Sequence, residues 1–539
     1  MSEHSYGDGM INGGDEPPGS VQFSDADMVR GRVALILIAL MVLLADITIY
    51  HAAGFSGPAA FFIGAVILLY VGIPRRSVCW LTVTLTSMLA MICFRLACNG
   101  SALQIAMGFW LLHAMVLSLR RQTPFVVETV IFAAQSIPGG YDFLTRLNQR
   151  VHDSVLKATD TRQPSPLINV VLPAVSAILF GGIFVMANPD VVRWISGRLG
   201  NFVQHIRQFL FQFSYLEVVF WMAVAWLTGG LLRPIITTMT SDNSERDAGA
   251  WGSESAPLFD AFRNTLLTVI VLFGAYLAFE FYTLWFRTFP KGFHYSGYAH
   301  QGAAWLTVAL AMATVMLSLI FRGIIFCDHR LPGLKRLAWI WSALNFILAI
   351  AVYHRLLIYI EYNGMTRMRV VGLLGITSVV LGFALVLIKI SRRRAFLWLI
   401  RRQLWVVGFA AFVYAVLPVD VLIHQYNVSQ ILSGNHAPVV QITQHPVDDE
   451  ALQVLLSLTH SNDPRIRAGI QAMLEIRLIA MQGEASRAET SGWTAWQKSS
   501  ADARMMLSAA AESSTPFDSI NDRRDAWIEL QTYSFANWW

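Results

Sequence analysis

Apolar runs of about 20 residues recur along the whole chain, and a helix of that length crosses a hydrocarbon core about 30 Å thick. Lipid offers no partners for backbone N–H and C=O groups. A chain built from such runs must satisfy those groups within each segment, as an α-helix does. Hydrophobic residues make up 55% of the 539 positions and charged residues 14%, against about 25% charged in soluble domains. The expected fold class is therefore all-α, a polytopic transmembrane helical bundle.

About eleven spans are expected, over 33–53, 58–74, 78–96, 101–119, 167–187, 215–232, 264–286, 303–321, 338–358, 370–390 and 403–422. Two further segments are ambiguous. FVVETVIFAAQSI (125–137) is apolar but short and contains Glu128. Residues 191–213 alternate basic and apolar side chains in the manner of an interfacial amphipathic helix.

Three regions follow. Residues 1–32 are acidic, rich in Gly and Ser, and expected to be a disordered tail. They lack the basic start and early apolar core of a signal peptide, so the first span should act as an uncleaved signal. Residues 33–422 form the transmembrane domain, and 423–539 a C-terminal extramembrane helical domain. Within the latter, Leu452, Leu455, Leu456 and Leu458, then Ile470, Met473 and Leu474, suggest one HEAT-like helical hairpin. Its turn is Asn462-Asp463-Pro464.

Basic residues cluster at alternate span ends: Arg75-Arg76, Arg120-Arg121, Arg322 to Arg336, and Arg392 to Arg402. Placing that side in the cytoplasm puts the N-terminus inside and the C-terminal domain outside. The basic stretch at 355–369 falls on the outer side by this count. The net charge of +5 is taken up by these span-end clusters and gives no case for nucleic acid. Four cysteines without a C-x-x-C pair argue against a disulfide framework or a zinc ribbon. No cofactor or metal site is expected.

The candidate functional residues lie around RLLIYIEYNGMTRMR (355–369). Continued as helix, Arg355, Tyr359 and Tyr362 share one stripe. Asn363-Gly364 supplies a residue that accepts positive φ, and Thr366 can cap the next span. Arg355 and Glu361 are six apart and cannot pair along one helix. Glu361 can reach Arg367 or Arg369 across the turn, and Arg355 needs an acid from another span. Glu280, inside an apolar run and followed by Arg287 on the same face, is that expected partner. The stretch FPKGFHYSGYAHQG, with Tyr295 and Tyr298, is expected as an aromatic loop on the same side. Such ionisable groups are either interfacial anchors or a ligand site. Asp46 is expected to hydrogen-bond Thr48 or another helix, and Asp420 to be interfacial. Phosphate-loop, zinc-helix and nucleophile-elbow motifs are absent, as is a visible repeat relating two halves.

The 355–369 stretch resembles the signature of a bacterial polytopic membrane protein family defined only by a domain of unknown function, of the form Arg-Leu-x-x-Tyr-Ile-Glu-x-x-Gly-Leu-Thr-x-x-Arg. Arg355, Leu356, Tyr359, Ile360, Glu361, Gly364, Thr366 and Arg369 match, with Met365 at the leucine. HYSGYAHQGA keeps Tyr295, Tyr298, Ala299 and Gly302 of a second motif. His300 and Gln301 stand where the family usually has arginines, and Trp305 where a glutamate often follows. Asn427-Val428 also fits. The resemblance implies a shared membrane fold in a bacterial inner membrane and brings no activity. Two function classes stay open. One is a structural, sensory or accessory protein whose external domain meets a membrane or envelope protein. The other is a transporter or intramembrane enzyme that uses the outward Glu/Arg/Tyr cluster.

Overall fold

The computed structural model describes residues 25–73, 78–140, 215–232, 259–285, 295–321, 325, 328–392, 394, 396–513 and 517–538. Every regular element among them is helical. The expected span 167–187, the amphipathic segment 191–213, Arg287 and most of the acidic tail lie outside these residues. Each of the other ten expected spans has a helix at its place. Among the described residues, seven helices are long and apolar enough to cross a bilayer, and three shorter apolar ones accompany them.

The first group comprises α1 (Asp25–Ala45), α2 (Ser56–Gly72), α3 (Trp80–Cys98), α4 (Ala102–Leu119), α5 (residues 126–140) and α6 (Tyr215–Leu232). Leu69, Leu85, Ile92, Leu96, Leu111 and Met115 are fully buried at its centre. In lipid this packing rests on close contact rather than on expulsion of water. At α5, the ambiguous segment is helical. The described part of it covers residues 126–140. Glu128 there pairs with Arg401 at 2.6 Å.

The second group comprises α7 (Phe259–Trp285), α8 (Tyr295–Ile320), α9 (Leu331–Asn363), α10 (Arg367–Arg392) and α11 (Phe396–Val416). Leu317, Phe321, Trp341 and Phe383 fill one end of its core, and Leu348, Val352, Leu356 and Ile376 the other. The 33 residues of α9 span about 50 Å, so this helix overruns the expected 338–358 at both ends. Pro332 at its first turn starts it without losing a hydrogen bond, and Gly364 ends it. Residues 295–302, expected as loop, are the opening turns of α8. The second core is joined to the first by α11, which places Phe412 in one and Leu399 in the other.

The last expected span, 403–422, divides in two. Leu417-Pro418 breaks it, because Pro418 has no N–H and disfavours helical backbone at Leu417. A separate helix, α12 (Val419–Leu432), follows. Beyond it come α13 (Val439–Gln444), α14 (Leu452–Leu455), α15 (Pro464–Ser491), α16 (Lys498–Ser513) and α17 (Ile520–Trp538). They close a third core around Leu452, Leu455, Leu458, Ile470 and Leu530. Only the second half of the expected hairpin is a continuous helix. Its first half is a four-residue α-turn between 3₁₀ segments Asp449–Ala451 and Leu456–His460. The three-residue spacing of Leu452, Leu455 and Leu458 suits that tighter winding, in which side chains at i and i+3 eclipse. The Asp463 carboxylate accepts from the N–H groups of Arg465 and Ile466, so the capped start at Asp463-Pro464 stands where the sequence places it.

Candidate functional site

The turn from α9 to α10 is three residues, Gly364-Met365-Thr366. Gly364 adopts φ 83° and ψ −177°, a conformation open to glycine alone. A Cβ there would also lie 2.7 Å from Asn427 Oδ1 and 2.8 Å from Pro438 Cβ. Thr366 caps α10, its hydroxyl accepting from the Arg369 N–H at 3.3 Å.

Asn427, fully buried on α12, reads the Met365 backbone in both senses. The Met365 N–H donates to Oδ1 at 2.6 Å, and Nδ2 donates to the Met365 carbonyl at 3.0 Å. Gln441 and Asn435 add donors to the carbonyls of Asn363 (3.0 Å) and Glu361 (3.2 Å). Side chains of the C-terminal segment thus hold the last turn of α9 and the tight turn from outside.

Arg367 extends the grip with charge. Its guanidinium meets Asp420 in a two-pronged contact, Nε to Oδ1 at 2.6 Å, and reaches Asp448 at 2.8 Å. The Asp448 N–H donates to Asp420 at 3.0 Å, and Asn99 from the α3–α4 turn donates to Asp448 at 3.4 Å. Burial, then the adjacent Asp420 carboxylate, pushes the Asp448 acid up from the usual carboxylate range. Asp420 is therefore a buried ion-pair member in the first turn of α12, where a helix start favours an acid. The helix break at Pro418 places Asp420 in this cluster rather than at the end of a continuous span.

Other bundle turns at the same end are held in like fashion. Arg95, 8% exposed near the end of α3, forms a bidentate pair with Glu450 at 2.7 and 2.9 Å. Gln497 accepts from the Gly100 N–H at 2.7 Å and donates to the Leu96 carbonyl at 3.0 Å. In the α1–α2 loop the Ala53 N–H donates to Thr494, and the Ser56 hydroxyl donates to the Trp496 carbonyl. Sequence reasoning passed over Arg95 and Glu450, although a lone arginine inside an apolar run was a readable signal.

The sequence-derived candidates separate. Arg355 and Arg369 are buried, Tyr359 is half-buried, and Glu361 and Tyr362 are exposed. Arg369 lays its guanidinium over the Tyr359 ring, 3.9 Å from the centroid, and donates to the Gly364 carbonyl. The expected reach of Glu361 to Arg367 or Arg369 is replaced by these contacts. Glu280 lies in α7, which packs along α9, and Tyr295 and Tyr298 lie in the first turn of α8. Their side chains are outside the described ones.

A cavity of about 780 Å³ opens beside this turn, between α10 and the C-terminal helices. Arg367 with its partner Asp420, and Arg369, His424, His445 and Gln441, supply its polar lining, and Leu356 and Ile376 part of its apolar one. His424 is 4% exposed and its Nδ1 has no hydrogen-bond partner. Burial pushes its imidazole down to about 4. His445 is lowered as well, by burial and then by Arg369 and Arg367.

Asp46 accepts from Trp221 Nε1 on α6 at 2.6 Å, the inter-helix alternative of the two expected for it. It sits in a π-helical turn, Asp46–Tyr50, beside His51, which contacts Glu217 at 3.1 Å. The three side chains bring metal-type donor atoms within 4.8 Å of one another.

Residues 33–458 match a protein family described as "Domain of unknown function (DUF4153)". The chain belongs to this family. The DUF4153 match runs from the first span through the Arg95, Arg367, Asn427 and Glu450 contacts and stops within the 3₁₀ segment before α15. No curated protein and no solved structure matches the chain.

Proposed function

We propose that this DUF4153 protein is a structural, sensory or accessory component of a bacterial inner membrane. In this reading residues 423–539 form an external domain that docks a membrane or envelope protein, and 1–32 form a cytoplasmic tail. One observation carries it. The C-terminal helices grip turns from both halves of the bundle, through Arg95–Glu450 and through Arg367 with Asp420 and Asp448. A partner bound to those helices is thereby coupled to both halves at once, as a scaffold or sensor requires. An expected pairing of Glu280 with Arg355 would serve the same role as an anchor.

The test is extraction from the native membrane in mild detergent, followed by the intact mass of the complex. A stoichiometric second protein, lost when the surface of α15–α17 is altered, supports the proposal. A bare chain in every mild detergent, with the C-terminal helices intact, refutes it.

A further inference from the structure

The cavity beside the α9–α10 turn has a charge arrangement that the docking role leaves unexplained. Arg367 has Asp420 and Asp448. Arg369, only 6% exposed, has the Gly364 carbonyl and the Tyr359 ring, and neither is an anion. A buried cation without an anionic neighbour is costly unless something supplies the opposite charge. His424 lines the same space, its buried Nδ1 has no hydrogen-bond partner, and its lowered basicity leaves the ring neutral near pH 7, able to donate one N–H. His445 and Gln441 line it as well.

Away from these groups the lining turns apolar and runs along α10, a helix long and apolar enough to span. Gly372 and Gly375 strip one face of that helix of side chains. A Cβ on Gly375 would touch nothing within 4 Å, and one on Gly372 would touch only Leu356, at 3.5 Å. Leu356 and Ile376 border this bare strip. One end of the cavity therefore wants an anion and the other wants a chain. Its volume suits a ligand of several hundred Å³.

We propose that this cavity binds an anionic amphiphile, with its acidic head on Arg369 and His424 and its acyl chain along the Gly372–Gly375 face of α10. A phosphodiester headgroup and a fatty-acid carboxylate share this chemistry. Both accept two or more N–H groups at once from a guanidinium and an imidazole. The inference rests on the cavity alone and stands whether or not a protein partner docks on the C-terminal helices.

The test uses the full chain in mild detergent, delipidated and titrated with phosphatidylglycerol, phosphatidylcholine, oleate or inorganic phosphate, with bound mass read by native mass spectrometry. One phosphatidylglycerol or oleate per chain, bound at least roughly tenfold tighter than phosphatidylcholine, is expected. Whichever of the two binds tighter identifies the source of the head. Arg369→Gln and Gly375→Leu should each weaken that binding by roughly tenfold or more. Arg369→Gln also removes a turn contact, so Gly375→Leu decides the matter. Its side chain enters open space, and the melting temperature of the lipid-free protein should not move. Equal binding of phosphatidylglycerol and phosphatidylcholine would mark an ordinary lipid annulus and overturn the proposal. So would unchanged binding in Gly375→Leu, or inorganic phosphate binding as tightly as the lipids.

Discussion

Removal of the Asn427 amide is the sharpest perturbation of the α9–α10 turn. In Asn427→Ala two hydrogen bonds vanish, of 2.6 and 3.0 Å, and Met365 keeps an N–H and a C=O with nothing opposite. An unmet buried backbone group costs about 1–3 kcal/mol. Met365 is half-buried, so water relieves part of this, and a loss of about 2–4 kcal/mol is expected. Asn427→Asp keeps the shape and the acceptor but sets a carboxylate oxygen against the Met365 carbonyl, and should be at least as damaging. Hydrogen exchange in a peptide covering 363–367 reads the effect locally, with a speed-up of roughly thirtyfold or more. Thermal unfolding in detergent reads it globally. If both variants exchange and melt like the parent, the turn is held by its own helices and the argument for a C-terminal clamp collapses.

Four further outcomes follow from the same contacts. Arg95→Met or Glu450→Met alone should cost about 3 kcal/mol by stranding a buried charge, whereas the double replacement should recover most of that; additive losses in a melting cycle would contradict this. Gly364→Ala should lower the melting temperature sharply, since the turn conformation and the approach of Asn427 and Pro438 both exclude a Cβ; a tolerated alanine would mean the turn can rearrange. Exchange of the two charges, Glu280→Arg with Arg355→Glu, should restore a folding defect of either single change, and independent defects would separate the pair. His424 has its folded value lowered to about 4 from an ordinary 6.5, so the unfolded chain takes up a proton first on acidification. The stability it contributes is present above pH 6.5 and lost as pH falls toward 4, with a slope of up to about 1.4 kcal/mol per unit. Asp448, raised on folding, acts in the opposite sense, so the comparison of parent with His424→Gln isolates the histidine. Identical pH–melting curves for the two would remove it from the account.

Much of the architecture was legible because one signal, runs of about 20 apolar residues, dominates in lipid. The turn chemistry was legible too, since Gly364 and Thr366 act through their own backbone positions. The partners of the charges were not. Arg367 finds Asp420 and Asp448, 53 and 81 residues away, and Arg95 finds Glu450 across 355. No periodicity within a helix encodes such distances. The expected reach of Glu361 across the turn gave way for this reason, because the acids that take Arg367 lie in a later part of the chain. The break at Pro418 was readable but yielded to the hydropathy of its surroundings, and with it went the burial of Asp420. The 3₁₀ winding near Leu455 differs from an α-helix by fractions of a residue per turn, finer than a spacing argument resolves.

The order in which a ribosome makes the chain gives the clamp a second meaning. Its contacts close loops of 355 and 441 residues, and the closing residues are made long after the turns they hold. At about 5–20 residues per second, the early hairpins sit in the bilayer for tens of seconds before Glu450 and Thr494 exist. Through that interval Arg95 and the first turns are unsealed, and only completion of α12–α16 closes them. Closure of the clamp therefore waits on synthesis of α12–α16, and a chain cut short after Val416 carries an unsealed end.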